Sequence, residues 1–272
     1  RAGVAFQPIA TGAVVERGPL ALAGSALRNL QGVAQTLGII GRFKPDVVFV
    51  TGGYISVPVV LAAALRHVPS VVCLPDARAG MAVRFLARFA DRITVSAPAA
   101  ARAFPSAKAV VTGWPVRAEF GHLDRQTARR RLGLGDGDKL LLVMGGSLGA
   151  RGINRAIAGQ LTELLSLCQI IHVSGPQDEA WLRDAAAGLP SELAARYHLH
   201  AYLHEGMADT MAAADLAVCR SGASVMGELP AATLPAVLVP YPHAGEHQRA
   251  NAEVLAEAGG ALLLSEADIE QL

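Results

Sequence analysis

The run Lys139-Leu140-Leu141-Leu142-Val143-Met144, followed at once by Gly145-Gly146-Ser147-Leu148-Gly149, decides the fold. Its first part is continuously apolar, without the alternation of a half-exposed strand, and so reads as a strand buried on both faces of a parallel sheet. The glycines end that strand, and a helical pattern takes over behind them. A strand that passes through a glycine turn into a helix is the opening of a βαβ unit. Glycine at such a turn lets backbone N–H groups and the helix N-terminus approach a diphosphate, with the Ser147 hydroxyl as a further donor. No Lys-Ser/Thr pair follows and the spacing is not GxGxxG, so neither a Walker A loop nor a dinucleotide fingerprint is present. A tight turn alone asks for the same residues.

Outward from this stretch the same alternation repeats. Val47–Thr51, Ser70–Leu74, Arg92–Ser96 and Ala109–Thr112 read as strands before it. Gln169–Ser174, His198–Tyr202, Leu216–Cys219, Ala236–Pro240 and Ala261–Leu264 read as strands after it. Helical patterns lie between them, which predicts an α/β fold of parallel βαβ units. The alternation breaks over Pro115 to Asp138, a polar stretch with the turn-rich Gly133-Leu134-Gly135-Asp136-Gly137. A domain boundary is therefore expected near residue 121, giving units 1–120 and 121–272. Two Rossmann-like halves facing each other across a cleft, with ligands at the carboxyl ends of the strands, is the expected architecture.

A chain of 272 residues with 52% hydrophobic content has ample material for two cores. Cys73, Cys168 and Cys219 close apolar runs without any CxxC, as reduced core residues of a cytosolic protein do. The longest apolar run, Val57 to Leu65, is too short to span a bilayer. No stretch has the pattern of a secretory signal. The chain opens on Arg1 rather than Met, so a native N-terminal piece is expected upstream. Net charge is +1, yet residues 1–120 hold 13 Lys/Arg against 5 Asp/Glu while residues 121–272 hold 11 against 18. A basic first half suits an anionic partner such as a phospholipid surface or a phosphorylated acceptor, and equally a merely solvated surface. Nucleic acid is not an expected partner.

Arg220-Ser221-Gly222-Ala223 follows the strand Leu216–Cys219 as the glycine loop follows its own, and Glu228 lies further along the next helix. Small residues mark close backbone approach, and a carboxylate so placed can accept both hydroxyls of a ribose; a surface Glu at a helix start reads the same way. After the strand ending at Pro240, His243-Ala244-Gly245-Glu246-His247 formally fits the H-x-x-E-H zinc pattern. Pro240, Pro242 and Gly245 argue for a loop rather than the helix that pattern needs, so no metal is expected. Polar side chains on such a loop suit sugar hydroxyls. In the first half, Thr51-Gly52-Gly53-Tyr54 ends a strand toward the same cleft. Met81 to Arg92 reads as a helix with Arg84, Arg88 and Arg92 spaced by four beside Phe85, Leu86 and Phe89, an arrangement able to rest on anionic lipid or to be an ordinary amphipathic helix.

Several of these motifs in register resemble the MurG family of glycosyltransferases, family 28. They are Lys44-Pro45-Asp46-Val47-Val48 through Gly52-Gly53-Tyr54, Gly113 to Arg117, the Gly145 loop, Arg220 to Glu228, and His247-Gln248 to Asn251-Ala252. The resemblance runs from about residue 44 to the C-terminus. It implies the two-domain GT-B fold and inverting transfer of N-acetylglucosamine from UDP-N-acetylglucosamine to an undecaprenyl-diphosphate-linked muramoyl-peptide. It also implies no metal or other cofactor, and a peripheral position at the cytoplasmic face of the bacterial inner membrane, on an anionic surface. Residue by residue, it implies that Gly146, Ser147 and Arg117 hold the diphosphate and that Leu203 offers its backbone to uracil. Ser221, Gly222 and Ala223 would line the nucleoside, Glu228 would hold the ribose, and His247, Gln248 and Asn251 would meet the sugar. Gly52, Gly53, Tyr54 and Asp76 would face the acceptor.

Two departures stand out. The family's glycine-rich N-terminal loop, with the His proposed as general base, has no counterpart, and the family's His-Glu-Gln-Asn is here Cys73-Leu74-Pro75-Asp76. Both lie on the acceptor side. Two alternatives therefore stay open: a same-fold enzyme with another lipid acceptor or an epimerase, and a non-catalytic nucleotide-sugar binder.

Overall fold

The computed structural model describes residues 3–13, 19–146, 148–243 and 246–269. Two compact units divide the chain, residues 1–112 and 113–272. The division falls upstream of the expected boundary at 120/121. The reason is local: a β-carbon at Gly227 would lie 2.6 Å from the Trp114 ring, so the segment around Trp114 packs in the second unit.

In the first unit the elements run α1 (Pro19–Phe43), β1 (Val48–Val50), α2 (Ser56–Leu65), β2 (Ser70–Leu74), α3 (Met81–Leu86), β3 (Arg92–Val95), α4 (Pro98–Ala101) and β4 (Ala109–Val111). The strands form one parallel sheet in the order β1-β2-β3-β4. Val50, Val72, Leu74, Ile93 and Val95 from the strands meet Val57, Val60 and Leu86 from the helices in one buried cluster. Each such side chain contributes about 1.5–3 kcal/mol on leaving water.

The second unit opens with a 3₁₀ turn (Ala118–His122) and α5 (Arg125–Arg131). It continues β5 (Leu140–Met144), α6 (Arg151–Gly159), α7 (Leu161–Leu167), β6 (Gln169–Val173), α8 (Glu179–Ala186), α9 (Ser191–Ala194), β7 (Tyr197–His200) and α10 (Met207–Ala213). It closes with β8 (Leu216–Cys219), α11 (Val225–Ala231), β9 (Ala236–Leu238), α12 (His247–Glu257), β10 (Ala261–Leu263) and α13 (Glu266–Ile269). All its strand pairs are parallel, in the order β10-β9-β8-β5-β6-β7. Numbered from its own first strand, this is the doubly wound order 3-2-1-4-5-6. Strand β5 is central and Leu140 to Val143 are buried throughout, which is why that stretch shows no alternation.

The ten expected strands are thus present, shortened by a residue or two at some ends. The expected helix over Met81–Arg92 is cut short: α3 stops at Leu86 and Arg92 opens β3. The spacing of Arg84, Arg88 and Arg92 therefore does not make a stripe on one helix. The β2–β3 pairing needs Arg92 opposite Val71, and that ladder wins over helical periodicity.

Candidate functional site

In the second sheet the chain leaves β5 toward β6 and β7, then returns to place β8 on the other side of β5. The loops after β5 and β8 consequently diverge at a topological switch point and leave a crevice at the carboxyl ends. A cavity of about 920 Å³ occupies it, and the described residues that line it all belong to the second unit.

The β5–α6 loop is shaped by backbone crossing. Gly149 has φ +82°, and a β-carbon there would sit 2.1 Å from the Ser174 carbonyl oxygen; at Gly175, also φ +82°, it would sit 2.5 Å from the Gly149 nitrogen. The loops after β5 and β6 thus touch backbone to backbone, which only glycine permits. Gly146, with φ +93° and open space around it, lines the cavity, as do Gly145 and Leu148. Ser147, expected as a diphosphate donor, lies outside the described residues.

Glu228 sits on α11, half-buried on the cavity wall, and its carboxylate has no hydrogen-bond or ion-pair partner among the described residues. Beneath it Cys219 is buried, and burial together with the Glu228 charge pushes its thiol up to about 12, so it stays neutral. Gly227 is the point where α11 meets Trp114 and Val116, and this contact brings Arg117 to the cavity. The Arg117 guanidinium pairs with Glu119 at 2.9 Å and lies over the Phe120 ring, 5.5 Å from its centroid. Leu203 and Gly222 line the cavity as well.

Other expected contacts stand behind that wall. Ser221 is fully buried and its hydroxyl has no partner among the described residues, and the half-buried Ala223 is not among the lining residues described. Asn251, expected at the sugar, is fully buried, and its Nδ2 donates to the Ser221 carbonyl at 3.1 Å. It ties α12 to the β8–α11 loop, because position 251 falls on the helix face turned to the core. His247 opens α12 and is half-buried off the wall, whereas Gln248 lines the cavity. Gln248 Oε1 accepts from the Tyr241 N–H at 2.9 Å, so the amide group offers the cavity its donor side.

Sequence reading missed several lining residues. Arg220, quoted only as part of a motif, is buried and forms a two-pronged pair with Glu266 of α13. It also donates to the Val239 carbonyl at 3.2 Å and lies 5.3 Å from the Tyr241 ring centroid. Arg151, Asp178, Tyr202 and Glu266 also line the cavity. Arg151 was signalled only by following the glycine loop; the others carry no local signal. Among the described residues no group of three His, Cys, Asp or Glu side chains could hold a metal. His243 stacks edge-on against Tyr241, at 5.4 Å between centroids.

In the first unit the acceptor-side residues follow strand ends. Gly52, φ +82°, comes two residues past the end of β1, and a β-carbon there would meet Val83 at 2.9 Å. Gly53 and the exposed Tyr54 follow, and the Ser56 hydroxyl closes the turn onto the Gly52 carbonyl at 2.5 Å. Asp76 lies just past β2, while Leu74, one of the departures from the family pattern, is core.

Comparison with known proteins agrees with this architecture. Residues 140–272 match the glycosyltransferase family 28 C-terminal domain and residues 1–95 the family 28 N-terminal domain. A protein of Roseiflexus sp. (strain RS-1) named UDP-N-acetylglucosamine--N-acetylmuramyl-(pentapeptide) pyrophosphoryl-undecaprenol N-acetylglucosamine transferase is 43% identical, over 96% of this chain and 67% of its own length. Its namesake from Desulforudis audaxviator (strain MP104C) is 39% identical over 99% of this chain and 74% of its own. Among solved structures, MurG of Acinetobacter baumannii superposes with TM-score 0.72 at 26% identity, over 96% of this chain and 72% of that one. A UDP-GlcNAc 2-epimerase from Neisseria meningitidis gives TM-score 0.60 at 14% identity, over 90% and 71%, a likeness of fold alone.

Proposed function

The chain belongs to glycosyltransferase family 28, and from that premise we infer that it transfers N-acetylglucosamine from UDP-N-acetylglucosamine to N-acetylmuramyl-(pentapeptide) pyrophosphoryl-undecaprenol, the step from lipid I to lipid II in peptidoglycan synthesis. The observation that carries the donor half is the cavity at the switch point of the second sheet, with the Glu228 carboxylate, unpartnered among the described residues, on its wall. In this reading the backbone around Gly146 and the start of α6 receive the diphosphate, with Arg117 beside them. Leu203 offers its backbone to uracil and Glu228 accepts from the ribose hydroxyls. Gln248, held by Tyr241, donates to an oxygen of the sugar.

Transfer with inversion follows from one displacement. An acceptor hydroxyl oxygen bonds to the anomeric carbon as the bond from that carbon to the diphosphate oxygen breaks, and the hydroxyl proton passes to a general base. Charge gathers on the departing UDP, where the helix start and Arg117 stabilise it without a metal. Activity should accordingly persist in EDTA.

The acceptor side belongs to the first unit, on Gly52, Gly53, Tyr54 and Asp76. We place that unit against an anionic membrane, at the cytoplasmic face, as a peripheral protein. Leu20, Leu27 and Leu30 share one side of α1 and are 88%, 69% and 67% exposed, in the basic part of the chain. No helix among the described residues is long and apolar enough to cross a membrane. The deciding experiment is product analysis with UDP-N-acetylglucosamine and a panel of lipid acceptors. A disaccharide formed only on the muramoyl-peptide diphospholipid is the expected result. Transfer to another lipid instead, or release of an epimerised donor, would replace the reading.

A further inference from the structure

One charged pair on the cavity wall has no part in the assignments above. Arg151 opens α6 and Asp178 immediately precedes α8, and both line the cavity. Arg151 Nε and Nη2 both donate to Asp178 Oδ1, at 2.9 and 2.7 Å. Nη1 has no partner among the described residues. The Arg151 side chain is 57% exposed and that of Asp178 only 5%. A buried carboxylate that commits one oxygen to an exposed guanidinium acts as its anchor.

Behind the pair runs a buried chain of hydrogen bonds. Asn154 Nδ2 donates to Asp178 Oδ2 and to the Ser174 carbonyl, both at 2.9 Å. With the amide donors so committed, Asn154 Oδ1 is an acceptor and must take the Nε2–H of His172, at 2.9 Å. His172 Nδ1 then accepts from the Tyr197 hydroxyl, also at 2.9 Å. The last of these directions holds for a neutral ring, whose single proton is the one on Nε2. Burial lowers that imidazole to about 4, which keeps it neutral. Asn154, His172 and Asp178 are all buried.

The position of Arg151 is electrostatically unfavourable by itself, because a cation at a helix start opposes the helix dipole. Asp178 offsets one charge, and an anion in the cavity would offset the remainder. We propose that Arg151 binds the diphosphate of the nucleotide donor, with Asp178, Asn154, His172 and Tyr197 as positioning residues that hold its guanidinium at the cavity wall. The proposal rests on the reading of this cavity as the UDP-sugar site. It adds a second cation there, beside Arg117, at the place where the leaving group's charge develops.

Calorimetry on the full chain with UDP and with uridine, at low and high salt, tests it. Arg151→Gln should weaken UDP binding roughly tenfold or more, leave uridine binding within about twofold, and flatten the salt dependence of UDP affinity. Arg151→Lys should recover part of the loss, since a point charge replaces the fork. Asn154→Ala should weaken UDP by a smaller factor, and combining it with Arg151→Gln should add little further loss, as for residues acting through one group. Wild-type UDP affinity in Arg151→Gln would overturn the proposal, as would an equal loss for UDP and uridine together with a lowered Tm. A wild-type chain that binds neither UDP nor uridine would instead overturn the donor-site reading beneath it.

Discussion

Glu228 stands half-buried without a partner among the described residues, an arrangement that costs free energy until a ligand supplies donors. Glu228→Ala should weaken UDP-sugar binding by about 1.5–3 kcal/mol, the worth of hydrogen bonds to a charged group, with the circular dichroism spectrum unchanged. An unaltered affinity would return Glu228 to a surface role. Gln248 is the proposed contact one step further along the ligand. Because the Tyr241 N–H holds its carbonyl, its NH₂ is left for the cavity, and in the proposed function Gln248→Ala should lower kcat/KM for UDP-N-acetylglucosamine about tenfold, or about 1.4 kcal/mol. UDP affinity should stay within about twofold, and a loss of UDP binding would show that the loop serves the nucleotide. His172 makes a prediction in pH. Its folded value near 4 lies below the ordinary 6.5, so the unfolded chain takes up the proton first as pH falls. The stabilisation is full above about 6.5 and is lost between there and about 4, by at most about 3 kcal/mol. Denaturant titrations of His172→Gln should lack that slope. Asp178 acts in a separate, lower window: burial raises its carboxyl, but hydrogen bonds from Arg151, Trp181 and Asn154 prevail and hold it below its ordinary value.

At the scale of elements, the β5–α6 loop shows two different demands on glycine. Gly149→Ala forces a methyl into the Ser174 carbonyl, and neither backbone can withdraw without breaking the crossing with Gly175. It should cost about 3 kcal/mol or more, from strain and overlap together. Gly146→Ala meets open space and should cost only the conformational term, about 1–2 kcal/mol. Urea denaturation of the two variants checks the contrast, and equal losses would mean that the crossing is not rigid. The same scale shows where periodicity misleads. Arg84, Arg88 and Arg92 keep helical spacing beyond Leu86 although the chain has already turned into β3, since a four-residue spacing cannot register a strand pairing on the far side of a turn.

For the whole molecule, the division at 112/113 leaves every described residue of the cavity on one side of it. Residues 113–272 expressed alone should therefore bind UDP within about threefold of the full chain, since the strands, loops and buried cluster that shape the site are all included. Failure of a folded fragment to bind, by calorimetry, would move part of the nucleotide site into the first unit. Transfer to the lipid acceptor should need both units, because the expected acceptor residues Gly52, Gly53, Tyr54 and Asp76 lie in the first.

The amino-acid sequence by itself determined the alternation of strands and helices, the parallel character of both sheets and the strand ends that carry the site. Doubly buried strands must be continuously apolar, and a close approach of backbone must be glycine, so both leave local marks. Gly146 was legible for that reason, two residues past β5, whereas Glu228 and Gln248 lie nine and ten residues past β8 and β9 and were signalled by the motifs around them. Only the tertiary structure decided that β8 lies beside β5, which is what joins loops 75 residues apart (Gly145 to Arg220) around one cavity. It also decided that Asn251 and Ser221 turn inward and that Asp178 anchors Arg151 across 27 residues. Hydrogen bonds between distant segments depend on which strands become neighbours, and that choice is made by packing the whole sheet, not by any residue's local preference.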